Sequence, residues 1–526
     1  MILVRNLRLL PEEDFSRLSL YAAQKLRIPE TRILSCSLTK RSLDARKKDR
    51  IHWVCSVAVS VSGDEEKLLR SKDPDISPYL PPVYEIPLLS PGERPVVVGF
   101  GPAGMFAALV LAHAGLRPIV LERGLDALSR RAAVERFRSG GPLDPECNVQ
   151  FGEGGAGTFS DGKLNTGTHD SRIHWVLEQF YRHGAPESVL WDAKPHIGTD
   201  ILVNVVQSIR REIVSLGGEV RFSSRMTALE LRDGTVIGLR VRSADSESFL
   251  PCNRVILAIG HSARDTVETL YHQGLPMERK AFAMGVRIEH RQADIDLAQY
   301  GRERGSLPAA DYALHVHLPD GTGVFTFCMC PGGEVIAAAS EPGGLVTNGM
   351  SLSARDGENA NSALLVGLSP EDFPGEGPLA GMFWQRSIEQ AAWRCGGGNA
   401  LAPAQTIGSF LSGVPDHGPG RVLPSYRPGV VWTDLHEILP QKITGALAAA
   451  LPLFGARLSG FDAPDAVLTG PETRSSSPVR MLRGTDLSST ISGLWPCGEG
   501  AGYAGGITSA AVDGMRCAEA VIRSLK

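Results

Sequence analysis

Alternation of apolar and polar positions begins with the first residues, where MILVRNLRLL predicts a strand. Pro11 and Glu12 then open an amphipathic helix whose apolar positions include Phe15, Leu18, Leu20, Ala22 and Leu26. Two more strands are predicted, at 33–38 and at 52–61. In the second, Trp53, Cys55, Val57, Val59 and Val61 alternate with smaller or polar residues. Residues 73–95 hold seven prolines and predict a stiff, extended connector. A new pattern follows: an apolar strand at 96–99, a glycine turn, a helical run to about Gly115 and a second apolar strand at 118–122. This is the start of a βαβ unit. The region up to about Asp170 reads as loop-rich. A helix over 199–215 stops at Gly217-Gly218. Strands at 219–223, 226–232 and 236–242 come next, the last two joined by an Asp233-Gly234 turn. Another apolar strand lies at 254–260. Residues 276–445 are mixed, and the chain closes with a strand at 493–497, a glycine loop and a helix over 507–525.

Composition changes this picture in a few places. Over 526 residues the net charge is -4, which argues against a nucleic-acid grip by the whole chain. Residues 1–72 nevertheless carry 15 Lys+Arg against 9 Asp+Glu, so the first unit is basic. Its densest run, 40–50, reads as a solvated hairpin tip. Aromatic side chains rarely interleave it, which weakens an RNA-stacking reading. No apolar stretch is long enough for a membrane span, and the first residues do not read as a signal peptide. Nine scattered cysteines, with no CxxC and no zinc-type spacing, suit free thiols in a reducing cytoplasm and predict no metal site. Glycine, at 58 residues, is in excess and clusters at 152–157 and 498–506, where a backbone must turn or approach a ligand closely.

The strongest chemical signal is Gly99-Phe100-Gly101-Pro102-Ala103-Gly104. It follows an apolar strand, opens a helix and precedes an acid, Glu122, at the end of the next strand. Gly99 permits the tight turn, Gly101 the approach of a pyrophosphate and Gly104 the close packing of helix on strand. Phosphates would rest on the helix N-terminus, and Glu122 would accept a ribose hydroxyl, which favours FAD or NAD over NADP. A second GxGxxG, at Gly152, Gly154 and Gly157, lacks the strand–helix context. The late glycine loop, 498–506, opens a helix that would face a flavin ring, where negative charge develops on reduction. A simple NAD domain needs no such loop, so FAD is favoured.

VVVGFGPAGMFAAL, GEGGAGTFSDGKLNT, AIGHSARDT, FAMGVRIEH, FCMCPGG, VTNGMS, ETRSSSPVR and PCGEGAGYAGGITSAAVDG occur in this order. Together they resemble the bacterial FAD-dependent dehydrogenase, or NAD(P)/FAD-dependent oxidoreductase, family of single-Rossmann flavoproteins. The resemblance spans roughly 95–520, and the basic N-terminal unit is similar to the family's extra domain. It implies an α/β fold: a Rossmann-type, glutathione-reductase-like FAD domain with an inserted substrate domain and a small N-terminal α/β domain. The expected division is 1–75 for the basic domain, 76–95 for the linker, 96–275 for the first part of the FAD domain, 276–445 for the substrate domain and 446–526 for the return. The resemblance puts Gly99, Gly101, Pro102, Ala103 and Gly104 at the pyrophosphate, Glu122 at the ribose and Arg123 near the same half. Gly155, Ala156, Gly157 and Thr158 would run beside the flavin, with Ser160, Asp161 and Lys163 behind. Met226 would give a backbone contact to adenine, and Ala258, Ile259 and Gly260 would close over the cofactor. Glu499 would approach the ribityl–pyrophosphate region, and Gly506, Ile507 and Thr508 the ring.

Three residues are candidates for catalysis. Lys163 would bond the flavin N5 or O4 edge or place a cation beside it. His261 would be a proton donor near neutrality, although its neighbours also look like a helix start. Tyr503, inside the late loop, would flank ring or substrate. Arg287, Glu289 and His290 read as one polar sheet face. Cys328 and Cys330 share a strand face, but their Cα atoms would stand about 6.5–7 Å apart, at the long edge for a disulfide. The whole reading is a cytoplasmic oxidoreductase with non-covalent FAD, an organic substrate, no membrane and no nucleic-acid partner. NAD(P)H, if it is the donor, would dock transiently; otherwise another reductant would serve. The alternatives are a flavin monooxygenase and a flavoprotein that binds RNA or protein through its basic N-terminal unit.

Overall fold

The structure is a computed structural model. It describes residues 1–90, 92–244, 246–416 and 418–525. The first unit is a four-stranded antiparallel sheet in the order Ile33–Asp44, His52–Val61, Ile2–Leu9, Ile76–Pro78. Leu18–Leu26 covers one face, burying Leu18, Ala22 and Leu26 against Ile2, Val4, Val57 and Val59. Asp14 caps the turn that precedes this helix, its carboxylate accepting the Ser16 N–H at 2.7 Å. Ile76–Pro78 pairs with the first strand, so the sheet takes in residues that the proline pattern assigned to the connector.

The basic run is a solvated hairpin tip only over residues 46–50, which are exposed between two paired strands. Its first residues extend the strand to Asp44, and Arg41 forms a β-bridge to Asp192. Arg41 N–H donates to the Trp191 carbonyl at 2.7 Å, and Ala193 N–H donates to the Arg41 carbonyl at 2.8 Å. The Arg41 guanidinium pairs with Asp192 at 2.8 and 3.1 Å and lies over the rings of Phe15, Trp53 and Trp191. Beyond it, Ile51 is buried in the core of the seven-stranded sheet described below. A charge run hides this, because one arginine uses its planar face on aromatics and its edge on a carboxylate.

The central unit is a five-stranded parallel sheet in the order Leu494–Pro496, Val255–Leu257, Val96–Val98, Ile119–Leu121, Glu219–Arg221. The three inner strands are buried throughout, as continuous apolar runs require when both faces are covered. Helices Pro102–His113, Thr199–Ser215 and Ile507–Arg523 cover one face. A three-stranded antiparallel sheet and the helix Arg264–His272 cover the other. The order reverses between Val96–Val98 and Val255–Leu257, which opens a crevice at the carboxyl ends of these strands.

Residues expected to be loop include the helix Ala127–Arg138. Its inward face is hard to read because Arg130 is fully buried. That side chain donates to the carbonyls of Asn148, Val149 and Glu153 at 2.9, 2.8 and 2.7 Å.

The third unit is a seven-stranded sheet in the order His315–His317, Gly323–Cys330, Asn359–Leu368, Phe282–Arg291, Val467–Glu472, Ala402–Thr406, Val430–Trp432. Leu447, Leu451 and Phe454 of Gln441–Gly455 pack in its core with Ile288, Leu364 and Val366. The expected return at 446 therefore comes too early: Val467–Glu472 still pairs with Phe282–Arg291. An apolar helix packs equally well on either sheet, and only strand pairing decides. The chain crosses between the two units along Met277–Arg279 and Val479–Met481, which pair with each other, and it re-enters the parallel sheet at Leu494–Pro496. Arg287, Glu289 and His290 are all buried, which corrects the polar sheet face expected for them. Each is matched instead: Arg287 by Glu472, Glu289 by Ser425 and Asn359, His290 by the Phe461 carbonyl.

Candidate functional site

Val96–Val98 ends in the turn that carries the glycine motif. Gly99 has φ +96°, and a Cβ there would overlap the Ala258 carbonyl. A Cβ on Gly104 would overlap the carbonyl oxygen of Gly99, so helix and turn touch at that point. Gly101 differs. A Cβ on it would meet only the Cα of Gly155, at 3.7 Å, and would otherwise fill open space. That space is a cavity of about 480 Å³ at the carboxyl ends of the parallel strands.

The cavity gathers most of the residues singled out from the sequence. Gly99, Gly101, Pro102, Ala103, Glu122, Arg123, Gly155, Ala156, Gly157, Ser160, Asp161, Lys163, Met226, Ala258, Gly260, His261, Glu499, Gly506 and Ile507 all line it. Gly104, Thr158, Thr508 and Tyr503 do not. Gly104 lies behind the turn. Thr158 and Thr508 are buried, and their hydroxyls donate to the carbonyls of Glu153 and Leu164 at 3.2 and 2.6 Å. Tyr503 lies under the Arg483 guanidinium, 3.6 Å from its ring centroid, which corrects its expected place beside ring or substrate.

Glu122 is more committed than a ribose acceptor need be. Its Oε1 accepts the N–H groups of Gly124 and Gly152, and its Oε2 that of Phe100, each at 2.9 Å. One acceptor position remains on Oε2. Arg123 is held by Glu146 and Asp265 and stacks on Phe151, so it stiffens the wall. Two helices begin at the cavity, Pro102–His113 and Ile507–Arg523, and their first N–H groups have no acceptor within the helix.

Lys163 lies 3.0 Å from Asp161 and donates to the Met329 carbonyl. Burial would lower its pKa, but Asp161 and the Cys330 and Cys328 thiols raise it above the ordinary lysine value, so it carries a charge. Asp161 is also paired with Arg355, and these cations hold its carboxyl down at about 2 against burial. His261 is corrected as a proton donor. Burial, with Arg474 and Arg264 nearby, lowers its pKa to about 3, so the imidazole stays neutral across the working range. Beside it, with 3.7 Å between His261 Nε2 and Glu499 Oε1, burial pushes the Glu499 carboxyl up to about 7.

Several lining residues had no role assigned from the sequence. Glu472, Asn348, Arg355 and Arg474 all reach the cavity from the seven-stranded side. They lie 185 or more residues from Lys163 in the chain, and only the folding of the third unit against the parallel sheet brings them to it. Cys328, which the sequence set aside, also lines the cavity. The described residues include one cluster with metal-like donors, Cys497, Asp513 and Cys517. Arg483 already pairs with Asp513 at 2.6 Å there and donates to the Cys517 sulfur at 3.6 Å, so a cation occupies that place.

An elongated dinucleotide fits this site. Bare glycines at Gly101, Gly260, Gly505 and Gly506 leave room that a Cβ would take, and a helix N-terminus stands at each of two places along the cavity. Among the described residues no helix is long and apolar enough to cross a membrane. Residues 281–475 match the family model described as "FAD-dependent protein, C-terminal domain-like", which supports FAD as the cofactor. Residues 1–60 match a domain of unknown function. Solved structures similar to this chain include three flavin or reductase proteins. A geranylgeranyl bacteriochlorophyll reductase-like protein from Thermoplasma acidophilum is 12% identical, over 83% of this chain and 80% of that one, with TM-score 0.35. The glycerol-3-phosphate dehydrogenase from Bacillus halodurans complexed with FAD is 12% identical, over 82% and 65%, with TM-score 0.35. A triple mutant of the flavin-dependent brominase Bmp2 is 12% identical, over 83% and 81%, with TM-score 0.37. A Clostridium beijerinckii protein described as "Uncharacterized protein" is 47% identical over 99% of this chain and 98% of its own length. At that identity and coverage, this chain belongs to the same family as the clostridial protein.

Proposed function

We propose that the protein is an FAD-dependent oxidoreductase, a dehydrogenase or reductase that moves a hydride or electron pair between non-covalent FAD and an organic substrate. The observation that carries this reading is the single cavity that joins the glycine turn, the late glycine loop and the inner edge of the seven-stranded sheet. In this reading the parallel sheet is a Rossmann-type, glutathione-reductase-like FAD domain, and the seven-stranded sheet supplies the substrate side. Gly101, Pro102 and Ala103 would take the diphosphate, Glu122 the ribose hydroxyl, and Gly155–Gly157 with Gly506 and Ile507 the ring. Bound FAD would supply reversible two-electron chemistry at that end.

The chain's own residues then have distinct tasks. Lys163 and the N-terminus of Ile507–Arg523 place positive potential where negative charge would develop. Glu499 holds or releases a proton near neutrality. Neutral His261, 3.0 Å from the Ser262 hydroxyl, orients its neighbours without adding charge. Phe151, Ile259 and Ile507 exclude water from the wall. NAD(P)H would dock transiently as a donor.

The purified full chain tests this reading. A visible flavin spectrum, with FAD released on denaturation, supports it, and anaerobic addition of NADH and then NADPH identifies the donor by bleaching. A colourless protein that does not take up added FAD overturns it.

A further inference from the structure

The bulge in Gly323–Cys330 has no task in the reading above. Pairing with Asn359–Leu368 slips between Phe327 and Cys330, and Cys328 takes φ +42°, a left-handed conformation that a residue with a Cβ rarely adopts. Such a conformation persists where its surroundings over-determine it. Here three donors do so. Arg287 donates to the Cys328 carbonyl at 2.9 Å, the Cys330 thiol donates to the same carbonyl at 3.3 Å, and Lys163 donates to the Met329 carbonyl. On a straight strand the two Cα atoms would stand about 6.5–7 Å apart, at the long edge for a disulfide. The bulge instead turns Cys330 back on Cys328, so that its thiol lies 3.3 Å from the Cys328 carbonyl. Cys328 faces the cavity, and Cys330 is buried behind it.

The two thiols are also unlike. The adjoining Cys330 thiol, with Lys163 and Arg287, holds Cys328 well below the ordinary thiol range against the effect of burial. The adjoining Cys328 and burial drive Cys330 well above that range. One accessible thiolate with a protonated thiol behind it is the arrangement of an attacking and a resolving cysteine.

We propose that Cys328 and Cys330 form a dithiol–disulfide centre that passes an electron pair from the cofactor to a low-molecular-weight disulfide. The electron source rests on the FAD reading above. The substrate is small because Cys328 is half-buried on the cavity wall, where a folded protein does not reach. Cys328 thiolate attacks one sulfur of the substrate. The substrate S–S bond breaks, the first thiol leaves as a thiolate and takes a proton from solvent, and the other half stays joined to Cys328. Cys330 then attacks the Cys328 sulfur. The second substrate thiol leaves with the Cys330 proton, and the Cys328–Cys330 bond closes. An electron pair from reduced FAD and one proton reopen it to thiolate and thiol. A hydride donor of the nicotinamide class restores the reduced flavin.

The test uses the full flavin-carrying chain and glutathione redox buffers, followed by iodoacetamide alkylation and tryptic mass spectrometry. One tryptic peptide, 305–355, holds both cysteines and no other. The expected result is a peptide two hydrogens lighter and resistant to alkylation in oxidised buffer, and doubly alkylated in reduced buffer. Cys330→Ser should trap one glutathione on Cys328, and Cys328→Ser should trap none. Two open thiols in fully oxidised glutathione overturn the proposal, as does a trap on Cys330 instead. A chain that forms the disulfide but holds no flavin overturns the FAD reading and leaves the thiol pair standing. A chain that holds flavin while the thiols stay open does the reverse.

Discussion

Arg287 Nε lies 2.6 Å from Glu472 Oε2, with the guanidinium fully buried and the carboxylate at the cavity wall. The pair joins neighbouring strands, and the same arginine reaches Asn348 at 2.8 Å and the Cys328 carbonyl at 2.9 Å. Removing the carboxylate strands a buried cation, which typically costs about 3–5 kcal/mol. Glu472→Ala is therefore expected to lose stability of that order in urea unfolding. Glu472→Gln, which keeps an acceptor, should lose less.

Gly101 and Gly104 separate ligand approach from folding. A Cβ at 104 overlaps protein backbone, so Gly104→Ala is expected to unfold at lower denaturant than the native chain. A Cβ at 101 meets nothing in the protein closer than 3.7 Å. Gly101→Val should therefore keep the unfolding midpoint of the flavin-stripped native chain while the ratio of flavin to protein absorbance drops at least tenfold. Equal flavin content in Gly101→Val and the native chain would place the diphosphate elsewhere.

Glu499 gives a pH dependence with a defined sign. Burial raises its carboxyl from 4.5 to about 7, opposed by Lys280. Between these values the folded chain holds a proton that the unfolded chain has lost. Its contribution is full below pH 4.5 and is lost as pH rises to about 7, a change of up to about 3 kcal/mol. Urea unfolding of Glu499→Gln at intervals across this range should lack that slope. His261→Gln tests the other assignment: with the imidazole already neutral, the turnover profile near pH 6.5 should not move.

Arg41 ties the first sheet to the body of the molecule through Asp192 and three rings. Arg41→Ala is expected to cost about 1–2 kcal/mol. Hydrogen exchange at the amides of residues 41 and 193 should rise, while the amides of Val96–Val98 stay protected. Unchanged exchange at Ala193 would mean that the backbone bridge holds without the side chain.

The legible parts of this fold are those set by local rules. The glycine turn could be read because each glycine answers a backbone demand within a few residues: Gly99 a positive φ, Gly104 a contact one turn away. Thr199–Ser215 has its predicted bounds because its apolar spacing and Gly217-Gly218 agree. What failed was set at a distance. His261 looked poised near neutrality, but Arg264 and Arg474 depress it, and Arg474 comes from 213 residues further along. Cys328 and Cys330 looked barely close enough to pair because a regular strand was assumed, and nothing in FCMC announces a bulge. Arg287 and Glu289 looked like a wetted face because their partners, Glu472 and Ser425, come from other strands and loops.

The last strand of the parallel sheet has a consequence for synthesis. Val255–Leu257 waits for Leu494–Pro496 across the whole seven-stranded unit. While a ribosome makes that intervening stretch, the growing chain carries an unpaired edge beside its glycine turn. The helix that completes the cavity, Ile507–Arg523, emerges later still. A nascent chain thus cannot assemble this pocket in stages, and a message cut short after the seven-stranded unit would yield a product with an aggregation-prone edge and half a cradle.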